Sequence, residues 1–582
     1  MSRIFKSIIL VMCSAVFCVA LHGQALEPIP YSQLKAAGEL ETRSLRNFDR
    51  LESDIYTPDN VFPVAHEGVS AGWPGDYEGR IILGLTLQAQ ATHREPKYLT
   101  ELIDRIDTRV NEKGYLGPVM QDSILEQQLS GHGWLLRGLC EYYEWKKDER
   151  VKQHIKNIIN NLALPTRGYH ALYPIDPNQR LHDVGEASGT TQNAIGHWLL
   201  SSDIGCDFIF MDGVIHAYTL FPEPELKLLI EEMIQRFLQM DVVRIKAQTH
   251  ATLTAIRGLL RYYEVTREDY LLKEAAKRYT LYRDDAMTEN YENFNWFGRP
   301  EWTEPCAIID AFMVATQLWQ DSGEPYYLED AHLIYYNAMA HAQRANGGFG
   351  LDNCPGPKDD ILTVHTDEAY WCCTMRGGEG LAAAIQYSYF TNGEDDVYLP
   401  FFNTSEVSIP TSAGETTLMQ RSQYPFNGSI ELEVLDAQTK NKTTRLHLFA
   451  PEWADNPTIT VNGSPVSCRK KGGFLILTSK LKKGDKIQYV FNMKPRIQPL
   501  SNKTINRPGY RKIIYGPLVL GYQGTVKRAL DKATSINRVG QDQWQVGNSD
   551  SFLLKPVFHV LDPEVSEVSG YQTQVIFNLQ DQ

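Results

Sequence analysis

The chain has 582 residues, of which 43% are hydrophobic and 22% are charged, and its formal net charge is −14. This length exceeds one ordinary core, so at least two domains are expected, and the composition is typical of a globular protein. The excess of negative charge argues against nucleic-acid binding, because the phosphate backbone would be repelled over most of the surface.

The N-terminal residues are typical of an export signal. Arg3 and Lys6 precede an apolar run over residues 8–21, which is too short to anchor a mature protein in a bilayer, and residues 23–25 are a small-residue cleavage region. No later stretch is long and apolar enough to span a membrane. We therefore expect residues 1–25 to be a cleaved signal peptide and the mature protein to be periplasmic or secreted.

The first two-thirds of the chain repeats one helical pattern. An apolar helix ends, a short polar turn follows and a new amphipathic helix begins, over residues 85–110, 135–162, 259–282 and 315–339. Apolar residues at helical spacing give each helix one stripe to bury. Repeated helical hairpins predict a toroid of helices, an (α/α)6 barrel over residues 26–392, with a solenoid of helix pairs as the alternative.

The last third of the chain has a different pattern of short alternating runs. Residues 430–434, 445–449 and 486–490 alternate apolar with polar side chains, and Asn462-Gly463 and Gly484-Asp485 are turn sequences. Alternation with a period of two, interrupted by such turns, is typical of antiparallel strands. The pattern predicts one or more β-sandwich domains over residues 393–582.

Two cysteine clusters carry the most specific chemistry. Cys372 and Cys373 are adjacent, and Cys306 follows Glu304 by two positions in Thr-Glu-Pro-Cys. Adjacent thiols do not readily bond each other, because the ring they would close is small and strained. They can ligate one metal ion, or one of them can be a nucleophile. A closed structural metal knot, or a disulfide from Cys306 or Cys354 to the pair, is the alternative.

Several short motifs occur along most of the mature chain in an order shared with a known family. They are residues 73–80, 113–117, 131–135, 304–307 and 372–373 in the helical part, and 450–454, 461–463 and 515–519 in the β part. In these motifs the chain resembles the β-L-arabinofuranosidases of glycoside hydrolase family 127. The resemblance implies an α/α barrel followed by β-sandwich domains, and an exo-acting hydrolase that removes a terminal furanosyl residue from oligosaccharides of plant polysaccharides.

The resemblance also implies a mechanism, since in that family a zinc-bound cysteine thiolate is the nucleophile of a retaining reaction. The nucleophile would be Cys372. The zinc ligands would be Glu304, Cys306, Cys372 and Cys373. A free thiol has a pKa near about 8.5 and attacks only as the thiolate, whereas a thiol that ligates zinc is deprotonated.

A retaining glycosidase also needs a proton donor across the scissile bond from its nucleophile. Two glutamates correspond to the acid/base of the family. Glu292 fits the local pattern, in Glu-Asn-Phe, and Glu289 fits the spacing to Cys306 better. Glu292 is slightly favoured, and only one of the two is expected to act.

Other residues are expected to contact the sugar. His132 and His250 match helix starts that face the pocket of the family, where imidazoles hydrogen-bond sugar hydroxyls, and Tyr370 is a candidate for stacking on the sugar. An ordinary helix-end position or core packing is the alternative for each of them.

Arg376 marks a departure from the family, which usually reads Pro-Pro-Asn directly after the cysteine pair. Its guanidinium could bind the carboxylate of an acidic sugar, and a salt bridge with Glu379 or Asp367 is the alternative. The substrate therefore stays open between a β-L-arabinofuranoside, which is favoured, and an acidic furanose such as the aceric acid of pectin side chains. A polysaccharide lyase and a non-catalytic glycan-binding protein are the rival classes.

Overall fold

The computed structural model describes residues 26–63, 72–180, 189–393, 395–412, 414–438, 443–524, 526–531, 534–558 and 572–580. The expected signal peptide, residues 1–25, lies outside the described residues. Within the described ranges, none of the helices combines the length and the apolar character that crossing a membrane requires.

Six helices form a closed inner ring. They are Asp76–Thr92 (α1), Glu126–Lys146 (α2), Asp207–Leu220 (α3), Thr249–Thr266 (α4), Pro305–Ser322 (α5) and Cys373–Gln386 (α6). Each packs against the next in the chain, and α6 packs against α1. Most of their residues are buried on every side, which is why these helices lack a marked polar face.

A second layer of helices surrounds the ring. Its members are Gly38–Leu51, Leu99–Ile106, Glu149–Ile158, Pro224–Gln239, Asp269–Asp285 and Tyr326–Leu333, and two of them continue into π-helical turns at Ile159–Ala163 and Ile334–Met339. Each outer helix packs on an inner one, and Gly38–Leu51 completes the sixth pair against α6. The structure confirms the predicted (α/α)6 barrel, and the four repeats in the sequence are four of its six helix pairs.

Two antiparallel sheets follow the barrel and pack on each other. The larger contains, in spatial order, Leu34–Ala36, Ser405–Thr411, Gly414–Ser422, Gly428–Ala437, Lys486–Asn492, Asp455–Val461 and Ser464–Val466. The smaller contains Glu27–Pro28, Phe390–Thr391, Asp396–Leu399, Thr444–Phe449, Phe474–Ser479 and Arg469–Lys471, in which one neighbouring pair is parallel. The hydroxyl of Tyr489 donates to the carbonyl of Phe449 across the two sheets (3.0 Å). The predicted sandwich is confirmed.

The sandwich also contains the first described residues of the chain. Glu27–Pro28 pairs with Phe390–Thr391, and Leu34–Ala36 pairs with residues 405–407. The range 26–392 expected for the barrel thus begins with two strands that complete the sandwich sheets.

A third sheet lies at the C-terminal end of the chain. It contains Pro495–Pro499, Tyr510–Tyr515, Leu518–Tyr522, Ala529–Asp531, Ile536–Arg538, Trp544–Val546, Leu553–Pro556, Gln572–Gln574 and Ile576–Gln580. Asp352–Asn353 and Ile361–Val364, from the barrel loop before α6, join this sheet through Gln572–Gln574. The third sheet therefore supports the loop that leads to Cys372.

A small sheet lies beside the barrel, in the segments that lead into α2 and α3. It consists of Ile124–Leu125, Thr191–Ile195 and Trp198–Ser201. The last of these strands ends two residues before Asp203, in the segment that enters α3.

Candidate active site

The N-terminal ends of the inner helices surround a cavity of about 500 Å³. Aromatic rings line part of its wall, namely Trp73, Tyr77, Trp302 and Trp371. The polar part contains Asp76, Arg80, Asp203, Gln248, His250, Glu304, His365 and the two adjacent cysteines. Aromatic faces beside converging polar groups are typical of a site for a small polar ligand such as a sugar.

The three predicted sulfurs meet at one side of this cavity. Cys306 lies in the first turn of α5, while Cys372 is the N-cap residue of α6 and Cys373 its first residue. The Sγ atom of Cys373 lies 3.5 Å from that of Cys306 and 3.2 Å from that of Cys372. Cys306 and Cys373 are buried, whereas Cys372 is partly exposed. Cys372 therefore presents the most accessible of the three sulfurs to the cavity.

Glu304 and His250 extend the cluster. Glu304 is the N-cap residue of α5, and its Oε1 lies 3.1 Å from Nδ1 of His250, while its Oε2 accepts a hydrogen bond from Nε2 of Gln248 (3.2 Å). Cys306 belongs to two overlapping groups whose possible ligand atoms lie within 4.8 Å of one another, one with the cysteine pair and one with His250 and Glu304.

This donor set has the chemistry of a metal site. Tetrahedral coordination with metal–sulfur bonds of about 2.3 Å would separate the sulfurs by about 3.8 Å. The observed separations of 3.2 and 3.5 Å are close to that value. Soft sulfur ligands joined by a carboxylate or an imidazole suit a borderline-soft divalent cation. The buried cysteine, histidine and glutamate groups could therefore bind a metal.

The protein alone does not favour thiolates here. Burial raises the pKa of the Cys306 and Cys373 thiols. At Cys372 the hydrogen bond with Cys306 lowers the pKa, but the interaction with Cys373 and burial outweigh it, so the pKa is raised. A further positive charge is needed before any of these sulfurs is a good nucleophile at neutral pH.

The guanidinium of Arg80 lies beside one of the sulfurs. Its NH1 lies 3.4 Å from Sγ of Cys306, and its guanidinium forms two hydrogen bonds with Asp76, at 2.7 and 2.9 Å. The same group stacks over Trp134, with 4.4 Å between the guanidinium carbon and the ring centroid. The Asp76 carboxylate already compensates the charge of Arg80. The guanidinium therefore stabilises a thiolate at Cys306 only in part.

Glu289 lies outside the described wall of the cavity. Its carboxylate accepts hydrogen bonds from the backbone N–H groups of Ser501 and Asn502, both at 2.8 Å, and pairs with Lys512 at 2.8 Å. Lys512 belongs to a strand of the third sheet, and Ser501 and Asn502 lie in the loop before that strand. The contacts show a buried carboxylate that joins the barrel to the C-terminal part of the chain.

Glu292 is also buried away from the described wall. Its carboxylate accepts a hydrogen bond from Asn290 (2.7 Å) and lies 3.4 Å from Nδ1 of His341, which in turn lies 2.9 Å from Asp352. Burial and the Asp352 charge raise the pKa of Glu292 to about 7. Burial would lower the pKa of His341, but the Asp352 charge raises it to about 9.

Cys354, which the sequence suggested only as a possible disulfide partner, belongs to this second cluster. Its Sγ lies 3.6 Å from Oε2 of Glu292. All seven described cysteines are free thiols, so the described residues contain none of the disulfides considered above.

The structure separates the other expected sugar contacts. His250 lines the cavity and stacks on Trp134, at 5.5 Å between ring centroids. His132 is buried below a loop, where its Nε2 accepts from the backbone N–H of Leu116 (3.1 Å) and its Nδ1 lies 2.8 Å from the carbonyl of Gln128. Burial lowers the pKa of His132 to about 4. His132 supports the loop and lies outside the described cavity wall.

Tyr370 also lies outside the described cavity wall, whereas the next residue, Trp371, is part of it. The carbonyl of Tyr370 accepts from the hydroxyl of Tyr56 (2.7 Å), and its ring packs edge-on against Trp371 with 5.2 Å between centroids. Trp371 lines the cavity and is 41% exposed, so its ring is available to a ligand.

Arg376 does not reach the cavity. It is fully buried, contacts Asp310 and Glu379 as ion pairs, and stacks over Trp134 at 4.2 Å. Burial lowers its pKa to about 10, so it stays charged at neutral pH. The structure thus shows the pairing with Glu379 that was the alternative to a substrate contact.

Several wall residues carried little or no signal in the sequence. Trp371, Gln248 and Trp302 stand close to predicted residues, one position before Cys372, two before His250 and two before Glu304. Asp203 and His365 come from loops with no recognised motif. Adjacency to predicted residues could have found the first three, and only the fold brings the other two to the cavity.

A comparison with models of known protein families gives a match in the β-sandwich part of the chain. The family model described as the GH127 middle domain of β-L-arabinofuranosidases matches residues 396–493, which form most of the sandwich. No curated protein matches the chain in sequence.

Solved structures share the whole architecture. A GH127 β-arabinofuranosidase superposes with a TM-score of 0.71 at 15% identity, covering 96% of this chain and 98% of its own. A GH127 β-L-arabinofuranosidase from Geobacillus stearothermophilus T6 gives 0.68 at 13% identity, covering 94% of this chain and 100% of its own. At such identities the likeness shows a common fold. With the family model it confirms the resemblance to family 127.

Proposed function

We propose that the protein is a retaining, exo-acting glycoside hydrolase that removes a terminal β-L-arabinofuranosyl residue from plant cell-wall glycans. Cys372 is its nucleophile, and a zinc ion is held by Glu304, Cys306, Cys372 and Cys373. One observation carries the proposal: three sulfurs converge at the starts of α5 and α6, and the most accessible one opens onto a sugar-sized cavity. The family resemblance supports the choice of sugar.

The reaction uses Cys372 twice. Its thiolate attacks the anomeric carbon, a carbon–sulfur bond forms, the glycosidic carbon–oxygen bond breaks, and an acid of the protein gives its proton to the departing oxygen. Water then gives a proton to the same protein group while its oxygen displaces the sulfur. The sugar leaves with retained configuration, and the Cys372 thiolate is restored.

The residues around Cys372 prepare it for this role. A bound zinc ion would keep the three sulfurs as thiolates at neutral pH. Gln248 and His250 contact the two carboxylate oxygens of Glu304 and orient it toward Cys306. Trp73, Trp302 and Trp371 supply apolar faces against which a furanose ring and its neighbour can pack.

The cavity favours a neutral sugar over an acidic one. Arg80 is the one arginine among the described wall residues, which include no lysine, and Asp76 already binds its guanidinium. Arg376, the expected partner of a sugar carboxylate, is buried between Asp310 and Glu379. A β-L-arabinofuranoside is therefore the first candidate, and the acidic furanose is the second. The N-terminal residues support the further proposal that the enzyme is exported.

A substrate screen tests the proposal. The purified protein is incubated with β-L-arabinofuranosyl oligosaccharides and with pectin side-chain oligosaccharides, products are followed by proton NMR, and metal content is measured by mass spectrometry. We expect L-arabinose to appear first as the β-anomer, and about one zinc per chain.

The rival classes give different results in the same screen. Release of no sugar from either substrate class would overturn the assignment. An unsaturated uronic product, seen by its ultraviolet absorbance, would indicate a lyase. Binding without turnover would indicate a glycan-binding protein.

A further inference from the structure

A second cavity, the interdomain cavity, lies where the barrel, the sandwich and the third sheet meet. Its volume is about 450 Å³, close to that of the active-site cavity, and no described residue lines both. The barrel contributes residues from two segments, 283–291 and Tyr326–Leu333, the sandwich contributes Glu452 and Trp453, and the third sheet contributes Arg496 and Lys512. Ligand-binding cavities form preferentially at such junctions between domains. The proposed hydrolysis uses none of these residues.

Three aromatic rings line the interdomain cavity, those of Tyr291, Tyr326 and Trp453. Tyr326 is 38% exposed, and its ring packs on that of Tyr327 with 4.0 Å between the centroids. The indole N–H of Trp453 donates to the hydroxyl of Tyr424 (3.2 Å), which fixes the orientation of this ring. An exposed ring supported by another ring is a platform on which the C–H face of a sugar can pack.

Tyr291 reaches the wall of this cavity from a strained turn. Its φ is +66°, in the left-handed region that bulky residues rarely adopt. The N–H of Tyr291 donates to the carbonyl of Thr288 (3.0 Å), and the ammonium of Lys512 lies 4.4 Å from the centroid of its ring. Strained residues of this kind are concentrated at functional sites, where the surrounding structure holds them in place. The turn thus keeps the Tyr291 ring on the cavity wall at the expense of backbone strain.

Polar groups with unused hydrogen-bonding capacity belong to the same wall. One terminal nitrogen of Arg496 donates to the carbonyl of Gly516 (3.2 Å), whereas its Nε is buried and has no hydrogen-bond partner within the described part of the chain. The Oε1 of Glu329 accepts from the backbone N–H of Glu452 (2.7 Å), and burial raises the pKa of Glu329. A hydroxyl donates one hydrogen bond and accepts two, so a sugar hydroxyl can satisfy a guanidinium N–H and a carboxylate together.

The charge of the wall favours a neutral sugar. Its charged residues are the carboxylates Asp284, Glu329, Asp330 and Glu452 and the cations Arg283, Arg496 and Lys512. Arg283 pairs with Asp330 at 2.8 Å, and the charge of Arg496 interacts with that of Glu329. Lys512 pairs with Glu289, also at 2.8 Å. Each cation therefore has a carboxylate beside it, and an acidic sugar would meet an excess of negative charge.

We propose that the interdomain cavity is a second carbohydrate-binding site, which takes one neutral sugar ring of a glycan. The ring packs on Tyr326, and its hydroxyls bind Glu329 and Arg496. The class of glycan, a plant polysaccharide, comes from the proposed function, so this part of the inference rests on it. A polysaccharide held there stays near the active-site cavity, which raises the effective concentration of its chain ends.

Retention of the protein in polysaccharide gels tests this site. Native electrophoresis is run in gels that contain soluble arabinan or galactan, which are neutral, or polygalacturonate, which is acidic. We expect a neutral polysaccharide to slow the wild-type protein, and polygalacturonate to slow it less. Tyr326→Ala should raise the dissociation constant about 2- to 10-fold, since a stacked aromatic ring contributes on that scale. Cleavage of methyl β-L-arabinofuranoside, which is too small to occupy both cavities, should not change.

Matched variants separate this site from the rest of the surface. Tyr270→Ala is the control, because Tyr270 is equally exposed on another outer helix and lines neither cavity. Arg496→Gln changes a different part of the wall and should also weaken retention. Trp371→Ala removes the exposed ring of the active-site cavity and should leave the Tyr326-dependent retention in place. Circular dichroism verifies that each variant is folded.

Several results would overturn the proposal. They are an absence of retention in both neutral gels, equal retention of the wild type, Tyr326→Ala and Arg496→Gln, and a loss in Tyr270→Ala as large as that in Tyr326→Ala. Stronger retention by polygalacturonate, lost in Arg496→Gln, would show an acidic-sugar site instead. The two proposals fail separately. A protein that cleaves the small glycoside without being retained keeps its proposed function and loses this site, and one that is retained through Tyr326 without cleaving any substrate does the reverse.

Discussion

Three inner helices place two sets of polar residues at two depths of the same barrel. The first turns of α4, α5 and α6, with the residues just before them, supply the upper set: His250, Glu304, Cys306, Cys372 and Cys373. One to two turns deeper, the same helices supply Arg257, Asp310, Arg376 and Glu379. The two sets share helices and neighbours, and they differ in what balances their charge.

The deeper set neutralises itself. Arg257 bonds to Asp310 and to Glu379, each at 2.8 Å, and Arg376 contacts the same two carboxylates. Burial alone would raise the pKa of Asp310, but the two guanidiniums hold it well below its usual range. The upper set has no such balance, because its thiols have raised pKa values and Arg80 is shared with Asp76. The deeper set is thus internally compensated, while the upper set could bind a cation, as the proposed function requires.

The largest expected effect comes from removing the most accessible sulfur. Cys372→Ser should lower kcat/KM by at least on the order of 10⁴-fold, because the nucleophile is lost while the cavity persists. Activity on the best substrate of the screen measures this. Cys468→Ser, a half-buried thiol in the sandwich, is the matched control and should be unchanged. Full turnover by Cys372→Ser would show that this sulfur is not the nucleophile, and the upper set would then lack the reactive group that distinguishes it from the deeper set.

A stability measurement examines the deeper set. Arg376→Met should destabilise the protein by about 3–5 kcal/mol, because Asp310 and Glu379 would lose one of the cations that compensate them. The midpoint of denaturant unfolding measures this. Arg421→Met breaks exposed pairs with Glu431 and Glu433 and should cost at most about 1 kcal/mol. Similar small losses in both variants would show that the buried network carries little of the stability.

The pH dependence of stability tests a related contrast, between buried groups that have a charged partner and buried groups that do not. A buried titratable group without a charged partner should be neutral in the folded protein. His332 is buried, and its polar partners within the described part of the chain are the carbonyl of Pro400 (2.9 Å) and the hydroxyl of Tyr424 (3.0 Å). Burial lowers its pKa to about 4. The unfolded chain therefore binds the proton first, and stability falls as the pH drops from about 6.5 toward 4, by roughly 3 kcal/mol for this group.

A variant isolates the His332 contribution. Unfolding free energies between pH 7.5 and 4 should fall less steeply for His332→Asn than for the parent protein, although the variant starts less stable. If the unfolding free energies of the two proteins fell in parallel with pH, His332 would not be the titrating group. The prediction that burial without a charged partner keeps this imidazole neutral would then be wrong.

The sequence predicts the helices and strands better than it predicts how deep in the barrel a given side chain lies. Five of the six helix pairs follow each other directly in the chain, and four of these are visible as repeats. The outer helix Gly38–Leu51 completes the ring from the other end of the sequence. Cys373 and Arg376 lie three residues apart on α6, yet one joins the cysteine cluster and the other the network of buried ion pairs. Residue type and motif gave no measure of that depth. Asp203 lies in no recognised motif, and only the closure of the helix ring brings it to the same cavity as Cys372.

The smallest expected effect concerns the residue that joins the two sets. His250 lies with Nδ1 3.1 Å from Glu304 above and Nε2 3.4 Å from Asp310 below. If the deeper set orients the upper one, His250→Gln should weaken zinc binding about 10- to 100-fold, since changes behind a metal ligand typically have that size. Competition with a chromogenic chelator measures the affinity, and His132→Gln, an imidazole outside the described wall, is the control. Unchanged zinc affinity in His250→Gln would mean that the two layers act independently, and that Glu304 is held by Gln248 and its place at the start of α5.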